Sequence, residues 1–186
     1  TAPVACSKVL SESIEVIVQP LLTATITGSS PICYNTQAIL QFTGTAGATV
    51  YFTDGTNNYQ TTLNTSGNGS FTTPYLTSNT TYNLTTSSIT SPISCSNAVS
   101  GSFTVVIVPL PVASVVIATP TICYNTPATL SFTGTANATV GFSVGSSNYT
   151  TTLDGSGVGS FTTPALTSNT TVTLINASIS SPITCV

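Results

Sequence analysis

Apolar and polar residues alternate along this chain in short stretches separated by turn residues. Between residues 21 and 108 the apolar positions of the clearest stretches are Ala38, Leu40, Phe42, Val50, Phe52, Tyr82, Leu84, Phe103, Val105 and Ile107. Alternation with a period of two predicts β-strands that bury one face, and turn sequences such as Asp54-Gly55 lie between them. About seven short strands in roughly 90 residues are typical of an immunoglobulin-like β-sandwich.

The same pattern occurs twice. The sequence Ile-Cys-Tyr-Asn-Thr of residues 32–36 returns at residues 122–126, and Cys95 returns as Cys185, in both cases 90 positions later. The inward positions of the first copy are repeated as Ala128, Leu130, Phe132, Val140, Phe142, Val172 and Leu174. Such self-similarity predicts tandem repeats, one at residues 21–108 and one at residues 109–186 that lacks its last strand.

The first 20 residues match the end of the first repeat. At a shift of 89 positions, Ile14, Val16 and Val18 correspond to Phe103, Val105 and Ile107. We therefore expect residues 1–20 to be the C-terminal strand of a preceding repeat, which would make the sequence a window on a longer array.

The links between the repeats contain proline without glycine, which predicts stiff and extended joints. A sandwich with an odd number of strands is entered at one end and left at the other. The expected fold class is thus all-β, with sandwiches arranged end to end as a rod.

Charge excludes several classes of partner. The chain has one Lys or Arg, four Asp or Glu and no His, and the single cation is Lys8. Nucleic-acid binding requires cations that neutralise phosphates, and anionic membranes attract basic segments, so we expect neither partner. The longest apolar run, residues 103–118, is interrupted by Pro109 and Pro111 and is shorter than a membrane span.

The residues needed for catalysis or for a cofactor are missing from the pattern. A reactive Cys33 would need a neighbouring base or cation, and the repeats contain neither His, Lys nor Arg. Asp54 and Asp154 are isolated carboxylates in turn sequences, whereas a calcium site requires several together. We expect no enzyme activity, no cofactor and no metal site.

Four tyrosines are predicted to be exposed: Tyr34, Tyr51, Tyr75 and Tyr124. Exposed aromatic rings can stack on sugars, so surface glycans are conceivable partners. The simpler interpretation is that these rings cover joints and sandwich edges.

Five cysteines at repeated positions favour disulfides and an oxidising, extracellular location: Cys6, Cys33, Cys95, Cys123 and Cys185. Strand parity places Cys33 at the exit end of its sandwich, and the entry end of the next repeat, with Cys185, should lie beside it. This argument favours a Cys33–Cys185 disulfide across the joint, with the remaining cysteines pairing outside the sequence. The alternative is pairing within repeats, Cys33–Cys95 and Cys123–Cys185, which would require residues 87–101 to fold along the side of the sandwich.

Several segments carry a resemblance to a known family: Thr121-Ile122-Cys123, residues 128–135, residues 161–166, Asn169-Thr170-Thr171 and Ser94-Cys95-Ser96. Together they make the chain similar to the tandem Ig-like repeats of giant Bacteroidetes cell-surface adhesins, including SprB-like gliding-motility adhesins. The resemblance implies export by type IX secretion, a cell-surface location and a role in an adhesin stalk or surface filament.

The leading hypothesis is a structural repeat that acts as a rigid spacer and contacts neighbouring repeats of the same chain. Its low charge also makes lateral self-association into filaments plausible. Two alternatives remain: a strand-exchanged, pilus-like fibre subunit, in which residues 14–18 complete the last repeat of another subunit, and a glycan-binding module.

Overall fold

The structure is a computed structural model that describes residues 1, 3, 5, 7–91, 93–117 and 120–185 of the 186-residue chain. Sixteen β-strands and no helix occur in these ranges, which confirms the all-β prediction. It follows that no helix within them is long and apolar enough to cross a membrane. Residues 7–23 contain no strand.

Ten strands belong to the first repeat. They are β1 Ala24–Gly28, β2 Ile32–Cys33, β3 Ile39–Gly44, β4 Thr49–Thr53, β5 Asn58–Thr62, β6 Asn68–Thr72, β7 Thr80–Ile89, β8 Cys95–Ala98, β9 Ser102–Val105 and β10 Ile107–Val108. One sheet has the order β1-β3-β6, and the other has the order β5-β4-β7-β8 with β9 also pairing with β7. The short β2 and β10 pair in parallel, and the other pairings are antiparallel.

The alternation in the sequence corresponds to the inward face of these sheets. The predicted inward residues that are buried in the first core are Ala38, Leu40, Phe42, Val50, Phe52, Tyr82, Leu84 and Val105. Phe52 lies at the centre of this core, with its ring centroid 4.7 Å from that of Phe42 and 5.2 Å from that of Phe71. The two sheets therefore pack face to face over aromatic and aliphatic side chains, as in a β-sandwich.

The second repeat has a core of its own. Its strands are β11 Ala113–Ile117, β12 Thr129–Gly134, β13 Thr139–Val144, β14 Ser147–Thr152, β15 Val158–Thr162 and β16 Val172–Ser178. They form the sheets β11-β12-β15 and β14-β13-β16. Phe132 and Phe142 repeat the central aromatic contact at 4.7 Å. Because the two clusters of buried residues share no member, each repeat has a separate core.

One buried hydroxyl recurs in both cores and has no counterpart in the apolar pattern. Thr73 and Thr163 are buried, and their Oγ1 atoms accept hydrogen bonds from the backbone N–H groups of Ala38 and Ala128, each at 2.9 Å. In the first repeat this bond joins the residue after β6 to the residue before β3, and in the second repeat it joins the residue after β15 to the residue before β12.

Two details of the predicted strands are different in the structure. Residues 87–101 show no regular apolar alternation in the sequence, but β7 continues to Ile89 and the chain returns as β8, with Ile89 opposite Cys95. The strand pattern at Ile14, Val16 and Val18 forms no strand, and these side chains are 80–91% exposed. Within the described residues this segment pairs with no strand. The division at residues 20 and 108 and the end-to-end arrangement remain predictions.

Candidate functional site at Cys33 and Cys185

The segment around Cys33 is held by the last strand of its own repeat. Strand β2 contains Cys33 and pairs in parallel with β10. On either side of the cysteine, the N–H of Ile32 donates to the carbonyl of Val106 at 3.0 Å, and the N–H of Tyr34 donates to that of Val108 at 2.8 Å. The backbone that carries the thiol is thus fixed on both sides.

The residues after Cys33 form a tight turn. Asn35 has a φ of 57°, a left-handed conformation that asparagine adopts more readily than most residues. Its N–H donates to the carbonyl of Leu76 at 2.8 Å. The hydroxyl of Thr36 donates to the carbonyl of Cys33 at 2.6 Å. The second copy forms the same turn, with Asn125 at a φ of 58° and a hydrogen bond of 2.6 Å from the hydroxyl of Thr126 to the carbonyl of Cys123. The repeated Cys-Tyr-Asn-Thr sequence therefore encodes a turn.

Cys33 and Cys185 form a disulfide, with their Cα atoms 5.8 Å apart, well within the range that a disulfide spans. Cys185 is 1% exposed and is joined to Ile179 by two backbone hydrogen bonds of 3.0 and 3.1 Å. The Cys33 sulfur also lies 3.3 Å from the carbonyl oxygen of Thr184. The bond connects the first repeat to the second, which is the pairing that strand parity favours.

The other cysteines differ in their surroundings. Cys95 is half-buried and Cys123 is exposed, and neither forms a disulfide in the structure. The alternative pairing within repeats is consequently not the one present. Cys6 lies outside the described residues. Cys95 and Cys185 have equivalent positions, because each faces an isoleucine across an antiparallel pair, Ile89 and Ile179 respectively.

The two isolated carboxylates stabilise turns. Asp54 accepts hydrogen bonds from the backbone N–H groups of Asn57 at 2.6 Å and Thr56 at 2.9 Å, and from the hydroxyl of Tyr59 at 2.9 Å. These bonds, that from the Asn57 backbone above all, lower the pKa of Asp54 to about 2. Asp154 accepts from the backbone N–H groups of Val158 and Ser156, which lowers its pKa as well.

Among the residues that the structure describes, no three His, Cys, Asp or Glu side chains lie close enough together to hold a metal ion. The predicted tyrosines are exposed, with Tyr34 at 43%, Tyr51 at 38%, Tyr75 at 66% and Tyr124 at 78%. They belong to separate segments: Tyr34 follows β2, Tyr51 lies in β4, Tyr75 lies between β6 and β7, and Tyr124 lies in the second repeat.

No protein-family model matches the chain, and no curated protein sequence matches it. The disulfide between the repeats is therefore the feature on which a functional interpretation rests.

Proposed function

We propose that this chain is a non-catalytic structural segment of an extracellular adhesin stalk or surface filament, in which consecutive repeats act as a rigid spacer. The observation that carries the proposal is the Cys33–Cys185 disulfide, which joins the two repeats covalently in addition to the peptide chain.

The disulfide supports rigidity because both of its ends are anchored. Cys33 lies in β2, which is hydrogen-bonded to β10, and Cys185 is buried and bonded to Ile179. A covalent bond between two fixed backbones restrains the relative motion of the repeats more than the proline-containing link at residues 108–111 does alone. A disulfide is also compatible with an oxidising compartment outside the cell.

The low charge of the chain favours a passive role. Only 3% of the residues are charged and the formal net charge is −3, so long-range repulsion between neighbouring rods is weak. This supports lateral packing of several rods into a thicker filament. The neighbouring repeats of the same chain and parallel copies are thus the partners that we propose.

The test is small-angle X-ray scattering of the oxidised chain and of a Cys33→Ser/Cys185→Ser double variant. If the disulfide holds the joint of an extended rod, the variant bends at the joint, which broadens its distance distribution and lowers its radius of gyration, while its far-UV circular dichroism is unchanged. A Cys95→Ser variant, which removes a thiol that forms no disulfide, is the matched control and should scatter like the parent chain. Superimposable profiles for the parent and the double variant would contradict a rigid joint.

A further inference from the structure

One exposed tyrosine lies on the outer face of a sheet in the first repeat. Tyr51 belongs to β4, which lies between β5 and β7 in its sheet, and its side chain is 38% exposed. Its neighbours along the strand, Val50 and Phe52, are buried in the core, so the Tyr51 ring points away from the core. The ring therefore lies on the open face of a central strand and covers neither a joint nor a sandwich edge.

A β-bulge places two hydroxyl groups beside this ring. The pairing of β4 with β7 shifts register after Tyr51, which is opposite Thr86. Thr85 is the extra residue of the bulge, and its hydroxyl donates to the carbonyl of Tyr51 at 3.1 Å. Leu84 and Ser87, on either side of the two threonines, are buried, so both threonines lie on the outer face. Bulges often redirect side chains in this way next to functional sites.

Amide side chains lie on the other side of the ring. Gln60 is opposite Tyr51 in β5, and Asn58 lies two residues before it on the same exposed face of that strand. A shallow depression of about 460 Å³ is lined by Tyr51, Asn58, Thr85 and Thr86, among others. The amide and hydroxyl groups can donate as well as accept hydrogen bonds. An aromatic surface with a few polar groups that fix orientation is a common composition of ligand sites.

The second repeat has an equivalent sheet but a different surface. Gly141 takes the place of Tyr51 and is opposite Asn176 in β16. A Cβ on Gly141 would collide with the side-chain oxygen of Asn176, so this amide covers the position from which a ring would project. Ile175 replaces Thr85 as the extra residue of the bulge. The aromatic surface is thus a feature of the first repeat, and the second repeat provides an internal control.

The charges near this face restrict the kind of ligand. Asp54 is the only charged residue between positions 21 and 108. Its carboxylate already accepts hydrogen bonds from the backbone of Thr56 and Asn57 and from the hydroxyl of Tyr59. Because the repeat has no cation, an anionic ligand would gain no ion pair. A neutral ligand is therefore favoured, with an apolar face for the ring and hydroxyl groups for the amides and threonines.

We propose that the outer face around Tyr51 binds a neutral saccharide whose ring substituents are equatorial, as in β-linked polymers of glucose or N-acetylglucosamine. Such a pyranose ring has an apolar C–H face that stacks on an aromatic side chain, and its edge carries hydroxyl groups. Tyr51 is the stacking surface, and Asn58, Gln60 and Thr86 are the hydrogen-bonding partners.

A saccharide fits this face better than a peptide does. The backbone of β4 is paired with β5 on one side and with β7 on the other, so a peptide that lies across the Tyr51 ring finds no free backbone groups of β4 with which to form a ladder. The inference goes beyond the spacer role, because it gives one repeat a ligand. It does not depend on the Cys33–Cys185 bond, and the rigidity test and the binding test can fail independently.

NMR titration of the isotope-labelled 186-residue chain with cellohexaose or chitohexaose tests the site. We expect saturable amide shifts in β4, β5 and the bulge of β7, and none in β13, β14 and β16. Binding of either hexasaccharide supports the proposal, and the tighter one identifies the polymer. No saturable shifts with either, or equal shifts in both repeats, would overturn it. An uncharged peptide of serine and threonine that binds this face more tightly than both hexasaccharides would also overturn it.

Variants of the ring separate stacking from other causes. Tyr51→Ala removes the stacking surface and should weaken binding at least tenfold, whereas Tyr51→Phe keeps that surface and should bind nearly as the parent chain does. Tyr75→Ala removes an exposed ring that lies outside the sheets and is the matched control. The amide spectrum of the buried strands should stay the same, because the Tyr51 side chain points away from the core. Equal affinities of Tyr51→Ala and Tyr75→Ala would overturn the proposal.

Transfer of the surface to the second repeat gives a second test. Four substitutions copy the residues of the first repeat at equivalent positions: Gly141→Tyr, Thr150→Gln, Ile175→Thr and Asn176→Thr. In a variant that also carries Tyr51→Ala, the hexasaccharide should now shift amides of β13, β14 and β16. Absence of these shifts, in a chain whose core amides are unchanged, would mean that the ring and the bulge do not define the site, and would overturn the proposal.

Discussion

Cys33 and Cys185 are 152 positions apart in the sequence, yet their Cα atoms lie 5.8 Å apart and their sulfurs are bonded. In the chain-entropy model, a cross-link that closes a loop of this length stabilises the folded state by about 5 kcal/mol. We expect the Cys33→Ser/Cys185→Ser variant to lose about this much of the summed free energy of unfolding in urea. Cys95→Ser should lose nothing comparable. Equal losses in both variants would show that the effect is not due to the bond.

The two cores should respond to mutation separately, because they share no residue. Phe142→Ala removes a fully buried ring from the second core and should cost about 3–5 kcal/mol. Hydrogen–deuterium exchange followed by mass spectrometry should show faster exchange in β12–β16 and unchanged exchange in β3–β7. Phe52→Ala is the matched variant and should give the opposite pattern. Faster exchange in both repeats for either variant would mean that they unfold as one unit.

The hydroxyl of Thr73 should contribute more to stability than the shape of the side chain does. Thr73→Val keeps the shape of the side chain but leaves the N–H of Ala38 without the oxygen that accepts its hydrogen bond, and should cost about 1–3 kcal/mol. Thr73→Ser keeps the hydroxyl and should be closer to the parent protein in thermal unfolding. A valine variant at least as stable as the serine variant would contradict this role. The same comparison at Thr163 provides an internal repeat of the experiment.

Acid should weaken the turn at Asp54. Hydrogen bonds from Asn57 and its neighbours hold the pKa at about 2, below the ordinary 3.8. The contribution of this group to stability is therefore fully present above about pH 4 and is lost as the pH falls through 2. Because the carboxylate lies at the surface, we expect this contribution to the free energy of unfolding to be at most about 1 kcal/mol. In urea unfolding between pH 2 and 7, the free energy of unfolding of Asp54→Asn should fall less with decreasing pH than that of the parent protein. The same dependence on pH in both proteins would contradict this assignment.

Asp154 has a natural comparison within the chain. Its Oδ1 accepts from Ser156 and Val158, and Asn64 accepts in the same way from Ser66 and Asn68 in the first repeat. Asp154→Asn should therefore leave the unfolding free energy at pH 7 nearly unchanged, as is usual for surface changes that keep a structural bond. Asp154→Ala should be less stable than Asp154→Asn in urea unfolding, because the backbone N–H groups of Ser156 and Val158 lose their acceptor. Equal stability of the two variants would contradict the role of the oxygen.

The inward residues could be predicted from sequence because side-chain alternation is a local property of a strand. Leu40 and Phe42 had to face the same way whatever lay opposite them. The β7–β8 hairpin could not be predicted in this manner. Residues 87–98 carry little apolar alternation, and β8 is held by long-range contacts, such as the hydrogen bonds between the Asn97 side chain and the backbone of Leu22 at 3.0 Å.

Residues 14–18 are the opposite case, because their sequence has the pattern of a strand but they form no strand in the structure. Alternation is a local property of the sequence, whereas pairing also depends on where the segment lies relative to the edge of a sheet. The position of the disulfide was accessible to sequence reasoning because it depends on topology, namely the number of strands between Cys33 and the end of its sandwich.

The central claim, that a disulfide joins consecutive repeats, is tested most directly by mass-spectrometric mapping of the oxidised 186-residue chain. A protease with aromatic specificity suits a chain with a single lysine or arginine, and alkylation of free thiols before digestion prevents exchange. The account predicts a non-reduced peptide pair that contains Cys33 and Cys185, with Cys95 and Cys123 alkylated. Pairs that join Cys33 to Cys95 and Cys123 to Cys185 would contradict it.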